Sequence, residues 1–580
     1  MPVAPLVACI ALFAQDSTPP PSGDRAVVRS PEGALVDAYL TRLEAFGFQG
    51  AVLVAKGGEV VLERGYGLAD EGTGRRNTAD TPFLIASVAK PLVSLAVLLL
   101  ESEGQLSIDD PLHEHFDVPP DKRGITLRQL LAHTSGLDDF YRDLSPELSD
   151  EEYIRAMLKT PLVAEPGSRF RYSNFGYDLL RELVRRTSGS SWEEFLREAV
   201  YERAGMDRTG FFLPDYSEAE VARYQDRGPE GLARYPANPL DVAEAHVCTF
   251  STVGDLHRLH LALEAGELLA PEAQREAYEE VREGYGLGWR TARTTRNTRV
   301  LYHGGHDTAF GVVSGLYRYV DEDAVIVFLG NSLMGGMLAG EYLASELEGL
   351  VFGGNVLLPP AVAESAGLAP AHAAGVYELG DGEATIEIVA SAGGLTARST
   401  SELGILWLLF PDASGPSGAT GLDGGLARFL DAAILAGDLS DLESLLWRGS
   451  NVEAVRSTWL ALRGQMLGQH GEFVGHRALH TRSFVYAGEP ETQVYVLLEF
   501  ERGVEVLRAL RNAEGRWWID PVPRPDQLEL TLAPTGAGEY RTFVPRLGTS
   551  SRLRFLPPQG DEPARLELSG RRSRVVLSRR

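Results

Sequence analysis

The chain has 580 residues, of which 44% are apolar and 23% charged, and its formal net charge is −26. That length exceeds what one core can organise and predicts about two to four domains of a globular protein. The negative charge, with no basic stripe, argues against nucleic acid as a partner.

The first 14 residues, MPVAPLVACIALFA, are apolar and lead into QDSTPPPSGD. This run is too short and too early to span a bilayer, and it predicts a signal peptide or leader over 1–22. Leu6 to Cys9 resembles a lipoprotein cleavage box, which makes Cys9 a candidate lipid anchor. The expected location is extracytoplasmic, periplasmic or secreted, with no integral membrane span. Cys9 and Cys248 are the two cysteines, too few for a disulfide scaffold or a zinc framework. No metal or cofactor is expected.

Alternation broken by Gly-Gly over Phe48 to Asp70 predicts a β-hairpin. Within TPFLIASVAKPLVSLAVLLLESEG, residues 81–104, an apolar helix buried all round is predicted to begin at Ser87 and Lys90. Thr126 to Leu137 reads as a short helix entering a turn. SNFGYDLLRELVRRTSGSSWEEFLREAVYERAG predicts two amphipathic helices split by Ser-Gly-Ser-Ser. Thr298 to Ser332 holds three strand-like runs. Strands therefore open and close this region, with helices between, an α+β pattern around an antiparallel sheet. A Pro/Ala-rich linker is expected at 355–373. Beyond it lies a β domain in two parts, 374–420 and 524–580, carrying an inserted α+β unit at 421–523.

Ser87 and Lys90 stand where the apolar helix begins. Three residues is about one helical turn, so both side chains share a face. Pro91 is tolerated in a first turn, where an N–H has no intrahelical partner. Burial would disfavour the charged ammonium, and a neutral amine beside a hydroxyl can take its proton. The chain has only four lysines, at positions 56, 90, 122 and 159, and no other follows a serine by three.

Downstream, Tyr172-Ser173-Asn174 opens a helix and His303-Gly304-Gly305 closes a strand-like run. S-x-x-K, Y-x-N and a Lys/His-x-Gly strand, in that order and accompanied by HTSGL at 133–137, resemble the serine β-lactamase and penicillin-binding-protein superfamily. The likeness is greatest to the class C β-lactamase-related serine hydrolases, which include esterases and D-amino-acid peptidases; it covers roughly residues 33–352 and implies a domain over 30–354. It implies a β-lactamase/transpeptidase-like fold and the following roles. Ser87 is the acylated nucleophile and Lys90 its base or proton relay. Tyr172 shuttles the proton to and from the leaving group. Asn174 holds a substrate amide or carbonyl. Backbone N–H groups of Ser87 and His306 form the oxyanion hole, with His303, Gly304 and Gly305 lining the substrate site. HTSGL is expected to be mainly structural.

The third motif in β-lactamases usually begins with lysine. Here it begins with His303, partly protonated near neutrality, which puts penicillin hydrolysis in doubt. LHEHFDV at 112–118 imitates a metal motif but has valine where a histidine is needed. His257 and His260 share a helix face with no carboxylate motif beside them. Trp517 and Trp518 are expected in sheet core. The split β region resembles a lipocalin-like domain, and its insert the cone-shaped fold of nuclear transport factor and polyketide-cyclase-like domains.

The expected activity is hydrolysis of an ester or amide, on a small-molecule or peptide acyl substrate, through an acyl-enzyme. The alternatives are a β-lactamase or D,D-carboxypeptidase, and a non-catalytic ligand-binding or sensor protein.

Overall fold

The computed structural model describes residues 26–580 apart from 139–148, 225–248, 364–372, 411–423, 440–451, 522–528 and several shorter stretches. The leader with Cys9, and Cys248, lie outside the described residues, as do residues 364–372 of the segment expected to be a linker.

The first region is organised by a seven-stranded antiparallel sheet. Its strands are β1 (Val27–Val28), β2 (Gly50–Lys56), β3 (Glu59–Tyr66), β4 (Arg290–Arg293), β5 (Arg299–Asp307), β6 (Val312–Tyr319) and β7 (Ala324–Gly330). The order across the sheet is β1-β3-β2-β7-β6-β5-β4. The two ends of the region meet in the middle, where Gly50 of β2 lies opposite Gly330 of β7.

Successive side chains of a strand point to opposite faces, and here both faces are covered. Ala51, Leu53 and Ala55 of β2 join Val325, Val327 and Leu329 of β7 in one core. Val52, Val54, Ile326 and Phe328 join a second core on the other face. The first core contains helix α2 (Lys90–Ser102), whose residues are buried from Lys90 through Leu100. It also contains α3 (Asn174–Ser188), through Phe175, Leu179 and Leu183, and α4 (Val253–Glu264), through Leu256 and Leu259. The second core takes Val36, Leu40 and Leu43 from α1 (Ser30–Glu44) and Leu343, Leu347 and Val351 from α5 (Gly340–Phe352). Each such side chain stabilises the fold by about 1.5–3 kcal/mol relative to exposure.

The C-terminal region is a closed eight-stranded barrel. Gly375–Leu379, Ala384–Ser391 and Gly394–Arg398 precede the insert, and five strands from Glu529–Gly536 to Arg574–Arg579 follow it. Closure is made where Tyr377 and Glu378 pair with Arg579 and Ser578. The insert is a four-stranded sheet, Phe473–Tyr486, Glu489–Phe500, Gly503–Arg511 and Trp517–Pro521, with helices Gly424–Asp431 and Val452–His470. Val494, Val496 and Leu498 face those helices in a third core that includes Trp517. The alternate residues Tyr495 and Leu497 join the second core, as do Tyr377, Ile386 and Leu566 of the barrel. The regions thus share apolar core. Among the described residues no helix is long and apolar enough to cross a membrane.

Candidate active site

Ser87 lies in a 3-10 turn, Ala86–Ala89, that runs straight into α2. Ala86 has φ of +45°, a left-handed conformation costing an alanine about 1–2 kcal/mol. This strained residue directly precedes the serine, a placement common at functional sites. The first turn of α2 then carries Lys90 and Pro91. Lys90 is fully buried, and its Nζ donates to Ser87 Oγ at 3.2 Å and to Asn174 Oδ1 at 2.7 Å. Among the described residues no carboxylate pairs with it. The ammonium lies 4.8 Å from the ring centroid of Tyr172 and 5.4 Å from that of Tyr177. The structure therefore brings Ser87, Lys90, Tyr172 and Asn174 together, with Lys90 and Asn174 meeting across 84 residues of sequence.

Tyr172 and Asn174 are held by the start of α3. Ser173 is its N-cap, accepting from the Gly176 N–H at 3.1 Å, and Gly189 ends the helix with φ of 75°. A second clamp comes from His133. The helix Leu127–Leu131 starts with a capping box between Thr126 and Gln129, and just beyond its end His133 has φ of +56°. The His133 carbonyl accepts from Arg171 N–H at 2.7 Å, and its Nδ1 accepts from Ser173 N–H at 3.0 Å. Its ring stacks on Tyr172 at 4.1 Å. Burial and the Lys90 charge hold the imidazole pKa well below 6.5, so the ring is neutral and free to accept at Nδ1.

Strand β5 forms the opposite wall. A Cβ on Gly305 would stand 2.6 Å from the Ile85 carbonyl and 3.1 Å from the Ser87 nitrogen, so only glycine lets the strand lie against the turn that carries Ser87. Gly304 is roomier, with nothing nearer than 3.8 Å. The His306 side chain is exposed at the rim.

His303 corrects the sequence reading. Instead of a partly protonated residue offering charge, it is 2% exposed and its pKa lies well below 6.5, because burial and the cations Lys90 and Arg290 oppose protonation. Its Nδ1–H donates to the Gly304 carbonyl at 2.8 Å. Its Nε2 accepts from the Tyr285 hydroxyl at 3.1 Å. A neutral imidazole tied at both nitrogens supplies no positive charge to a ligand.

Ser87, Tyr172 and residues 303–306 open on a pocket of about 270 Å³. Its other walls include Arg290, Tyr302, Tyr317 and Glu341, none of which the sequence singled out. The signal for Arg290 was weak: it ends the Gly/aromatic stretch GYGLGWR. Tyr302 and Tyr317 stack across β5 and β6 at 5.1 Å. The metal-like histidines lie apart. His113 binds the Arg123 carbonyl and His115 binds Asp110. His260 accepts from buried Arg318, which also donates to Tyr278 and Glu264. Among the described residues no three His, Cys, Asp or Glu side chains are grouped to hold a metal ion.

The class that this fold and site define is the serine hydrolases of the beta-lactamase fold. The beta-lactamase family profile matches residues 36–344, more than half of the chain, and the chain belongs to that family. Penicillin-binding protein 4* of Bacillus subtilis is 26% identical over 314 residues, covering 49% of this chain and 68% of that protein. Esterase EstB of Burkholderia gladioli is 31% identical over 222 residues, covering 34% of this chain and 55% of the esterase. The octameric penicillin-binding protein homologue from Pyrococcus abyssi covers 82% of this chain and 100% of its own, with a TM-score of 0.51 at 19% identity. That likeness is one of fold, and it reaches beyond the family domain into the C-terminal region.

Proposed function

We propose that the chain hydrolyses an ester or amide through an acyl-enzyme on Ser87. The observation that carries this reading is the hydrogen bond between buried Lys90 and Ser87 Oγ at 3.2 Å, in a pocket that Ser87 itself lines. Lys90 is the base that takes the Ser87 proton as Oγ bonds to the substrate carbonyl carbon. The negative charge that develops on the carbonyl oxygen is met by the backbone N–H groups of Ser87 and His306. The proton passes through Lys90 and Tyr172 to the leaving group as its bond to carbon breaks. Water, activated by the same groups, then releases the acid. Asn174 orients Lys90 and the substrate, and Gly304 and Gly305 let the acyl chain lie along β5. The named relatives, an esterase and a penicillin-binding protein, fit this chemistry.

A neutral His303 favours esters over substrates that need a cation at that position. The second reading, hydrolysis of a β-lactam or D-alanyl peptide, is favoured by the penicillin-binding-protein relatives. The C-terminal barrel and its insert have no catalytic role in this proposal, and the apolar N-terminal segment directs the chain out of the cytoplasm.

Intact mass after a fluorophosphonate probe tests the central claim. One adduct on the wild type, lost in Ser87→Ala, is expected; an unlabelled wild type sinks the reading and leaves a ligand-binding protein. Rates on nitrocefin, a D-alanyl peptide and p-nitrophenyl esters then separate the two substrate classes.

A further inference from the structure

The pocket beside Ser87 has two side chains of opposite fixed charge in its wall, Arg290 and Glu341. The Tyr317 phenol is pushed up mainly by burial, Glu341 adds to the rise and Arg290 opposes it. The pocket wall thus carries charge of both signs.

The two charges are not equally available. The Arg290 guanidinium is half-buried and lies over the rings of Phe170 and Tyr285, 5.9 and 5.6 Å from their centroids. Glu341 is exposed in the first turn of α5, and among the described residues no cation pairs with its carboxylate. An acid in a first turn also favours the helix through its dipole. That role would register in stability, not in the choice of substrate. Three further facts bear on the ligand. His303 is tied at both nitrogens and offers no cation. A substrate carboxylate beside Glu341 would sit in its field. The whole chain, at −26, draws cations and repels anions.

We infer that Glu341 binds a positively charged group of the substrate, so that the preferred substrates are esters or amides whose acyl part carries an ammonium. This rests on the acyl-enzyme reading above and names its substrate class.

Three p-nitrophenyl esters test it: 4-(trimethylammonio)butanoyl, its neutral isostere 5,5-dimethylhexanoyl, and glutaryl, which is anionic. The wild type should prefer the cation over the isostere by about 10- to 100-fold in kcat/KM, the size of one charge-assisted contact. Glu341→Gln should collapse that ratio towards one, and Glu341→Lys should turn the preference to glutaryl. Each ratio is internal to one preparation, so partial misfolding cancels. A wild type that prefers glutaryl or is indifferent overturns the inference, as does a cation preference that survives in Glu341→Gln. If the fluorophosphonate labels Ser87 while the preference is absent, only the substrate class fails. If neither labelling nor turnover of any ester occurs, the acyl-enzyme reading fails and takes this one with it.

Discussion

The ring of His133 stacks on the ring of Tyr172 with centroids 4.1 Å apart, and the same histidine holds the backbone on both sides of that tyrosine. Its carbonyl takes the N–H of Arg171 and its Nδ1 takes the N–H of Ser173. Three contacts from one residue fix where the Tyr172 phenol stands relative to Lys90. Holding them needs a left-handed backbone at a position where helices usually place glycine or asparagine.

His133 should therefore act on the reaction through Tyr172. His133→Ala removes the stack and the Nδ1 acceptor, and should lower kcat on p-nitrophenyl acetate by about 100-fold, the scale of an ångström misplacement at a reacting group. His133→Asn tolerates the left-handed backbone and offers Oδ1 where Nδ1 stood. It should recover about tenfold of the loss. Parallel melting curves separate this from plain destabilisation. An alanine variant as active as the wild type, or an asparagine variant no better than alanine, would refute the positioning role.

Lys90→Ala should remove the base and leave the Asn174 Oδ1 without its donor at 2.7 Å. A positioned proton acceptor contributes about 10²–10⁴-fold, so acylation by a fluorophosphonate should slow by that factor while the far-ultraviolet circular dichroism stays native. Labelling at the wild-type rate would remove Lys90 from the mechanism.

The two glycines of the third motif make a matched pair. In Gly305→Ala the new methyl would meet Ser314 Oγ, the Ile85 carbonyl and the Ser87 nitrogen, and backbone can yield only by moving the turn that carries the serine. In Gly304→Ala the nearest atom is 3.8 Å away, ordinary contact. Gly305→Ala should lose ester hydrolysis by 100-fold or more on the estimate of about an ångström's displacement, and Gly304→Ala should stay within about threefold of the wild type. Equal effects would mean that β5 does not press on the nucleophile turn.

How much of this was legible in the chain differs from part to part, and the reason is range. The turn with Ser87 and Lys90, the buried helix and the β2–β3 hairpin follow from local period and spacing, and they appear where the sequence puts them. His133 was visible as a motif and its work was not, because it depends on contacts 40 residues away. Arg290 reaches the pocket from strand β4 and Glu341 from helix α5, elements far apart in the chain that no spacing links. His303 was misjudged because its charge depends on burial beside two cations, not on its position after Tyr302. The stretch Glu402–Leu409 lies in the first part of the expected β domain, and its apolar run at 405–409 has no period to separate helix from strand; it is a helix packed into the second core.

The buried histidines should make the fold sensitive to mild acid. His133 and His303 have pKa values held well below 6.5, and that of His260 falls to about 3, mainly through burial. In the unfolded chain each returns to about 6.5. Below that pH the unfolded state binds protons that the native state refuses, so stability is whole above pH 6.5 and is lost as pH falls towards the native values. Each histidine contributes about 1.4 kcal/mol per pH unit there, and three lower the stability by about 4 kcal/mol between pH 7.5 and 5.5. Asp255 and Glu348, whose carboxyls are raised by burial, pull the other way, but only nearer their own titration. Urea midpoints across that range should fall steadily, and His260→Asn should flatten the slope by about a quarter to a third, since His257 beside it is lowered too. A midpoint that holds constant from pH 7.5 to 5.5 would mean that these imidazoles are hydrated and titrate in the native state.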